Sequence, residues 1–228
     1  AGVQRFVLVS TDKAVNPLCV YGASKLLSER IVLDAQAKAA EGQDFMTVRF
    51  GNVLGSRGSI LPLFMRQVAQ GGPVTVTDPA ATRYFMTIPE ACSLVLKTGG
   101  VGQGGQSYLL DMGEPILIRE LAEQVIRFSG LEPYKDIDIQ YIGLRPGERL
   151  EESLKSDEEE LVATAYAKIN RLERLGGAFP LAEALATLKP ICIPDGAAPE
   201  AYRNRRALRA ALRRFIPSVE DYSDEPEY

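Results

Sequence analysis

Residues 5–10, RFVLVS, constrain the fold most, because apolar and β-branched residues follow one another there without alternating with polar ones. A strand with one face in water usually alternates, so a continuous apolar run indicates a strand covered on both faces. Such strands are typical of parallel sheets flanked by helices. We therefore expect residues 5–10 to form a buried strand of a parallel sheet.

Strand and helix patterns alternate along the rest of the chain. Predicted helices cover residues 18–40, 60–70, 89–97 and 117–129, and predicted strands cover residues 45–50, 74–77, 82–87, 107–111 and 137–142. The fold class expected for residues 1–175 is α/β, the C-terminal part of a Rossmann-like doubly wound parallel sheet plus a smaller mixed α/β substrate-binding region. Residues 156–175 are predicted to be largely helical, and residues 176–228 to form a loosely determined helical tail.

Composition excludes several classes of site. The chain has no histidine, which excludes a His-based metal site or a Ser-His-Asp triad, and we predict no metal site. Acid–base work must fall to Asp, Glu, Lys or Tyr. Three separated cysteines without a C-x-x-C pair indicate reduced thiols. A net charge of −4, no long apolar run and no secretory signal predict a cytoplasmic protein without nucleic-acid or membrane contact.

A local basic segment, YRNRRALRAALRRF at residues 202–215, departs from this acidic balance. Its apolar residues lie on one helical face with arginines around them. The segment is interpreted as a docked terminal helix whose arginines pair with the acidic end, EDYSDEPEY. The alternative is a helix that binds nucleic acid or acidic lipid.

Four residues with acid–base chemistry follow the first predicted strand. Asp12 and Lys13 stand just past its carboxyl end, where open α/β sheets bind ligands. Tyr21 and Lys25 are four residues apart on the following helix, so their side chains share a face. A nearby ammonium favours the phenolate, the form that takes a proton from an alcohol. The four residues together predict an active site for nicotinamide-dependent alcohol oxidation.

Five segments, in order, carry a resemblance to a known family. They are STDKAVNPLCVYGASKLLSE, VRFGNVLGSRGSILPLF, GGPVTVTDPAATRYFMTIPEA, LLDMGEPILIRELAEQVI and GLRPGERLEESL. Over about residues 3–170 the chain resembles the nucleotide-sugar 4,6-dehydratases of polysaccharide biosynthesis, which belong to the extended short-chain dehydrogenases/reductases. The resemblance implies NAD or NADP as cofactor and a UDP-sugar, UDP-N-acetylglucosamine first among them, as substrate.

The resemblance also implies a role for each catalytic residue. Tyr21 would take the proton of the sugar 4-hydroxyl, with Lys25 holding the cofactor ribose. Lys13 would take the C5 proton, Asp12 would protonate the departing 6-hydroxyl, and the hydride would return to C6, which gives a 4-keto-6-deoxy sugar. A 4-epimerase does not handle two protons on neighbouring carbons, so the Asp-Lys pair favours dehydration over epimerisation.

Further site residues follow from the same resemblance. The residues matched to the cofactor are Ser10, Tyr21, Lys25 and Val53. Those matched to the substrate are Thr11, Asn52, Ser56, Arg57, Arg83, Arg145 and Glu148. Arginine suits bidentate contact with phosphate. A structural salt bridge is the alternative for Arg83 and Arg145.

The chain contains no Gly-rich turn between a buried strand and a helix, the motif that cradles a dinucleotide pyrophosphate. We therefore expect the chain to be part of a longer enzyme, inactive alone, whose upstream part is a candidate membrane anchor. An open sheet edge would favour a homo-oligomer. The alternatives are a truncated homologue acting as a non-catalytic assembly or binding module, and a nucleotide-sugar 4-epimerase.

Overall fold

The computed structural model describes residues 2–194 and 202–221. Within them the strands are β1 (Arg5–Val9), β2 (Asp44–Arg49), β3 (Asn52–Leu54), β4 (Val74–Val76), β5 (Thr82–Arg83), β6 (Phe85–Thr87), β7 (Ser107–Leu110), β8 (Ile116–Leu117), β9 (Ile139–Tyr141), β10 (Glu159–Ala163) and β11 (Ile169–Arg174). The helices are α1 (Val20–Gln36), α2 (Ile60–Ala69), α3 (Ile88–Val101), α4 (Ile118–Phe128), α5 (Leu181–Cys192) and α6 (Arg205–Phe215), with a short 3-10 helix at Asp12–Ala14.

The main sheet has the strand order β1-β2-β7-β11-β10. β1, β2 and β7 are parallel, whereas β11 and β10 continue the sheet in antiparallel directions. A core of apolar side chains from β2, β7 and β11 includes Met46, Val48, Leu110 and Ile169. The predicted α/β class with a parallel-dominated sheet is therefore confirmed.

The prediction that residues 5–10 are buried on both faces is wrong. β1 pairs in parallel with β2, but within the described residues it is the edge strand of the sheet. The side chains of Phe6 and Val9 consequently stay 44% and 45% exposed. The apolar run fits a parallel strand, and the structure leaves one of its edges without a partner strand among the residues described.

The helix predicted over residues 156–175 is also wrong, because this stretch forms the hairpin β10–β11. Its Ala, Glu, Leu and Arg content favours a helix locally, but tertiary contacts override such preferences. β11 pairs with β7, and Glu159 in β10 forms a buried ion pair with Arg49 in β2 at 2.9 Å. Arg49 forms a second buried pair with Glu29 in α1, at 2.8 Å. These two contacts tie the hairpin and α1 to the middle of the sheet.

A smaller region follows β2 and is built from short two-stranded pairs, β3–β6, β4–β9 and β5–β8, with α2 and α4 beside them. Its own core joins α2, β4 and α4 through Phe64, Val74, Val76 and Ile126, each fully or almost fully buried. This region lies after the carboxyl end of β2 in the chain, so it stands beside the edge where the parallel strands end.

The C-terminal helices α5 and α6 pack against α1. Ala184, Leu188 and Leu212 form a buried cluster with Ala23 and Leu27 of α1. Arg213 of α6 pairs with Asp221 at 2.5 Å, as the docked interpretation of the basic segment requires. The rest of the acidic end, residues 222–228, lies outside the described residues. None of the helices in the described ranges combines the length and apolarity needed to cross a bilayer.

Candidate active site

The candidate site lies at the carboxyl ends of β1 and β2. Beyond these strands the two segments stay paired, because the Ser10 N–H donates to Val48 O at 2.7 Å and the Asp12 N–H donates to Phe50 O at 3.1 Å. The chain then turns into the 3-10 helix at Asp12–Ala14. Thr11 caps that helix, accepting from the Lys13 N–H. Parallel strands therefore present residues 10–13 at one edge of the sheet.

Asp12 and Lys13 form an ion pair, with 3.0 Å between Lys13 Nζ and Asp12 Oδ1. The same carboxylate oxygen accepts from Thr11 Oγ1 at 2.8 Å. The Asp12 side chain is fully buried, whereas that of Lys13 is 33% exposed. The other oxygen, Asp12 Oδ2, is buried without a hydrogen-bond partner among the described residues, and it faces Gly51. One oxygen of the buried carboxylate is thus held by two donors while the other has none.

The first turn of α1 rests on this 3-10 helix. Gly22 makes the contact possible, because a Cβ at that position would lie 2.2 Å from the carbonyl oxygen of Lys13 and 2.8 Å from the side chain of Pro17. Tyr21 precedes Gly22, so the close packing brings the phenol-bearing turn next to the Asp12–Lys13 segment.

Tyr21 and Lys25 lie on α1 at the end of β1. The Tyr21 side chain is 56% exposed, and Lys25 Nζ donates to the carbonyl of Val9 at 2.9 Å. Ser10 is buried, and its hydroxyl has no hydrogen-bond partner in the part of the chain described. The half-buried ammonium of Lys25 therefore reaches the end of the strand that leads to the unsatisfied hydroxyl of Ser10, while the exposed phenol of Tyr21 lies one helical turn before Lys25 on α1.

Two cavities continue the site into the smaller region. The first, about 340 Å³, is lined by Lys13 and by residues of the GLRPGERLEESL segment. The second, about 270 Å³, is lined by Asn52 and by apolar residues of α2, β4 and β6. Both share Arg83, Arg145 and Glu148 as walls. The structure thus brings Lys13, Asn52 and these three residues to one cleft.

The charged residues that line the two cavities differ in how many hydrogen bonds hold their side chains. Arg83 Nη2 donates to Arg149 O at 2.8 Å, and Nη1 donates to the carbonyls of Thr82 and Leu150. Glu148 Oε2 accepts from the N–H of Arg145 at 3.0 Å, which folds this carboxylate back on its own turn. Most of the Arg83 guanidinium is occupied by backbone, as a structural role for Arg83 requires.

Eight predicted residues line neither of these two cavities. Five of them, Ser10, Thr11, Asp12, Tyr21 and Lys25, lie in the segment at the carboxyl end of β1 and the start of α1, and the other three, Val53, Ser56 and Arg57, follow β2. Ser56 donates to the carbonyl of Val53 at 2.9 Å, and Arg57 is exposed. Val53 packs against the core beneath the main sheet. The structure therefore does not bring Ser56, Arg57 or Val53 into the cleft.

The sequence reasoning missed two residues that the structure brings to the cleft. Glu152 lies 3.7 Å from Lys13 Nζ and 3.8 Å from Arg83 Nε, and its side chain is only 7% exposed. Arg149 donates to the carbonyl of Asn16, which joins the GLRPGERLEESL segment to the loop after Lys13. The only signal in the sequence is that both residues belong to that charged segment.

A third cavity, about 650 Å³, lies between α1, the β10–β11 hairpin and the C-terminal helices. Arg30, Arg49 and Arg174 line it together with Phe179 and Phe215. Burial and the neighbouring Arg174 lower the pKa of Arg30 to about 10. The carboxylates of Glu29 and Glu159 oppose that shift without cancelling it. None of the predicted site residues lines this cavity.

Comparison with known proteins identifies the family. The profile described as "Polysaccharide biosynthesis protein" matches residues 1–174. The chain belongs to this family. It is 51% identical over 169 residues to the capsular polysaccharide biosynthesis protein CapD of Staphylococcus aureus, covering 74% of this chain and 28% of CapD.

Two further similarities bear on the chemistry. The UDP-glucose 4-epimerase of Rickettsia akari is 35% identical over 158 residues, covering 69% of this chain and 45% of the epimerase. The structure of DesIV, a dTDP-glucose 4,6-dehydratase of Streptomyces venezuelae with NAD bound, superposes with a TM-score of 0.58 at 25% identity, covering 68% of this chain and 52% of DesIV. The chain thus spans between about a quarter and half of these proteins. The sequence resemblance to the proteins of polysaccharide biosynthesis is confirmed, and the similar proteins include an enzyme named as a nucleotide-sugar epimerase and one named as a nucleotide-sugar dehydratase.

Proposed function

We propose that this chain carries the substrate-binding and proton-transferring side of a nucleotide-sugar 4,6-dehydratase that acts on UDP-N-acetylglucosamine. The observation that carries the proposal is the ion pair, at 3.0 Å, between the buried Asp12 and Lys13, which lines a cleft that also holds arginines. Dehydration needs a base and an acid on neighbouring carbons, and two adjacent residues in contact supply them.

The proton balance follows from this contact. Moving one proton from Lys13 Nζ to Asp12 turns the ion pair into an amine and a carboxylic acid, which are a base and an acid. Lys13 then takes the C5 proton, Asp12 gives its proton to the 6-hydroxyl, and the C6–O bond breaks to release water. This elimination restores the ion pair and leaves a double bond between C5 and C6. Lys13 would return its proton to C5 when hydride is delivered to C6, so the net change is the loss of one water. Tyr21 takes the proton of the 4-hydroxyl in the preceding oxidation.

A nicotinamide dinucleotide supplies the hydride acceptor and donor for this chemistry when it is bound. The unpartnered hydroxyl of Ser10, the exposed phenol of Tyr21 and the ammonium of Lys25 are suited to hold its nicotinamide and ribose end. Val53 packs into the core, which fits this role less well. Since no Gly-rich turn of the required kind occurs in the 228 residues, we infer that polypeptide beyond them holds the pyrophosphate.

The substrate side is proposed to occupy the cleft between the two cavities. Arg145 is exposed there and is available for the diphosphate, while Asn52 and the apolar walls of the second cavity suit a base and ribose. Arg83 then acts mainly by holding the cleft wall in place.

An epimerase is the second candidate, supported by the 35% identity to the Rickettsia akari enzyme. Epimerisation uses the phenol of Tyr21 but leaves the Asp12–Lys13 pair without a task. We therefore favour dehydration.

Mass spectrometry distinguishes the two reactions. The product of the native gene is incubated with UDP-N-acetylglucosamine, with UDP-glucose and dTDP-glucose in parallel. A sugar nucleotide lighter by one water supports the proposal. A product of unchanged mass with an inverted 4-hydroxyl, seen by NMR, supports the epimerase, and the absence of both products favours a non-catalytic binding module.

A further inference from the structure

Glu152 sits between the proposed base and an arginine of the cleft. Its Oε1 lies 3.7 Å from Lys13 Nζ and 3.8 Å from Arg83 Nε. The Glu152 side chain is 7% exposed and that of Lys13 is 33% exposed. Lys13 is therefore held between two carboxylates, Asp12 on one side and Glu152 on the other.

The position of Glu152 is itself fixed. Arg83 reaches it with Nε while the two terminal nitrogens of Arg83 donate to three backbone carbonyls, at 2.6 to 3.0 Å. Those carbonyls belong to Thr82, Arg149 and Leu150, so β5 and the GLRPGERLEESL segment brace the arginine from both sides. Backbone carbonyls thus hold Arg83 in place, Arg83 holds Glu152, and Glu152 holds Lys13.

A carboxylate at this place works against substrate binding. The cavity that Glu152 lines is also lined by Arg83, Arg145 and Arg149, which suits an anionic diphosphate. A negative charge on the same wall repels that ligand, so its presence calls for another role. Lysine has a long flexible side chain whose ordering costs rotamer entropy, and a partly exposed lysine can turn toward water.

We propose that Glu152 is a positioning residue that keeps the amine of Lys13 at the sugar C5, an inference that rests on the proposed dehydratase function. Glu152 takes no proton in the cycle. Lys13 accepts the C5 proton, Asp12 supplies the proton that leaves with the 6-hydroxyl, and Glu152 sets the direction in which Lys13 points. Misplacement of a reacting group by about 1 Å costs up to about a hundredfold in rate.

The variant Glu152→Gln tests this in the product of the native gene, with Glu151→Gln as the matched control because Glu151 is the exposed neighbour. We expect Glu152→Gln to lower kcat for UDP-N-acetylglucosamine roughly tenfold to a hundredfold. KM should stay the same or fall, because a negative charge has left the anion-binding wall. A cleft wall displaced by the substitution would instead raise KM.

A second readout isolates the Lys13 step. Supplied 4-keto-6-deoxy product should exchange its C5 proton with deuterium oxide in the unmodified protein and in Tyr21→Phe, but slowly in Lys13→Ala and in Glu152→Gln. If Glu152→Gln fails to fold, Glu152→Asp decides, since its shorter side chain withdraws the carboxylate and should also lower kcat and the exchange rate.

The outcomes separate the two claims. The role of Glu152 alone is overturned if the unmodified protein dehydrates the substrate and Glu152→Gln leaves kcat and the exchange rate unchanged. The same result in Glu152→Asp has this meaning if only that variant folds. A higher KM with unchanged exchange also overturns it, because that pattern belongs to substrate binding. No dehydration by the unmodified protein overturns the proposed function and this inference with it.

Discussion

The carbonyl oxygen of Lys13 lies against the Cα of Gly22, so closely that a methyl group added there would stand 2.2 Å from that oxygen. The contact joins the segment that carries Asp12 and Lys13 to the helix that carries Tyr21 and Lys25. The relative placement of the proposed acid–base groups thus depends on a residue without a side chain.

Replacing Gly22 with alanine should therefore destabilise the chain. Alanine in a helix is favoured over glycine by about 1 kcal/mol, but the overlap with backbone outweighs this and we expect a net loss of about 2 kcal/mol in the free energy of unfolding. Urea denaturation measures it. Gly100→Ala in α3 is the control, because a Cβ there meets nothing within 4 Å and the change should be neutral or slightly stabilising. Equal stability of the two variants would contradict the packing described.

The buried ion pairs of Arg49 predict a large effect of Glu159→Gln. Both Arg49 and Glu159 are almost fully buried, and removing one charge leaves Arg49 with Glu29 alone. Breaking a buried pair costs about 3 kcal/mol or more. Glu160→Gln, on an exposed position of the same strand, should change the free energy of unfolding by less than about 0.5 kcal/mol.

The same pair predicts how stability depends on pH. Burial alone would raise the pKa of Glu159, but hydrogen bonds and charge from Arg49 outweigh burial and lower it below 4.5. A depressed carboxyl pKa contributes stability above the unfolded value, and that contribution is lost as the pH falls through the folded value. Urea denaturation between pH 7 and pH 3 should show a loss below about 4.5 that is smaller in Glu159→Gln. Identical pH curves would exclude Glu159 as a source of the loss.

The exposed edge of β1 predicts self-association of the 228-residue chain. Phe6 and Val9 expose apolar surface beside unpaired backbone, the combination that recruits another strand. Light scattering should detect dimers or larger species, and Val9→Lys should reduce them. Phe128→Glu removes an aromatic side chain that is 90% exposed on α4 and should have no such effect. A monodisperse monomer would contradict self-association through the edge of β1.

Cofactor affinity of the 228-residue chain should be weak or nil, because Ser10, Tyr21 and Lys25 can hold only one end of a dinucleotide. Calorimetric titration with NAD⁺ and NADP⁺ should give no saturable heat at cofactor concentrations up to about 1 mM. Micromolar binding would mean that these 228 residues hold the pyrophosphate by a motif other than a Gly-rich turn.

The local patterns predicted the parallel strands and the helix that carries Tyr21 and Lys25, because hydrophobic periodicity reports local structure well. They failed over residues 156–175. The Ala, Glu and Leu residues there favour a helix, but the long-range ion pair between Arg49 and Glu159 stabilises a hairpin. The exposure of Phe6 was missed for a similar reason, because the sequence of β1 alone does not determine how many strands pair with it.

The candidate site divides in the same way. Asp12 and Lys13 are adjacent in sequence, so their shared place after β1 could be predicted, but their ion pair depends on the 3-10 helix that they form. Glu152 reaches Lys13 from a segment about 140 residues away in the chain, and no spacing rule links them. Arg83 could be named as a cleft residue, but its bonds to backbone carbonyls depend on how the GLRPGERLEESL segment folds over it.

Turnover of UDP-N-acetylglucosamine by the Lys13→Ala variant of the native gene product, followed by mass spectrometry, tests the role of the Asp12–Lys13 pair most directly. We predict that the unmodified protein forms a sugar nucleotide lighter by one water and that Lys13→Ala forms it at least about a hundredfold more slowly while remaining folded. Dehydration by Lys13→Ala at an undiminished rate would contradict the account.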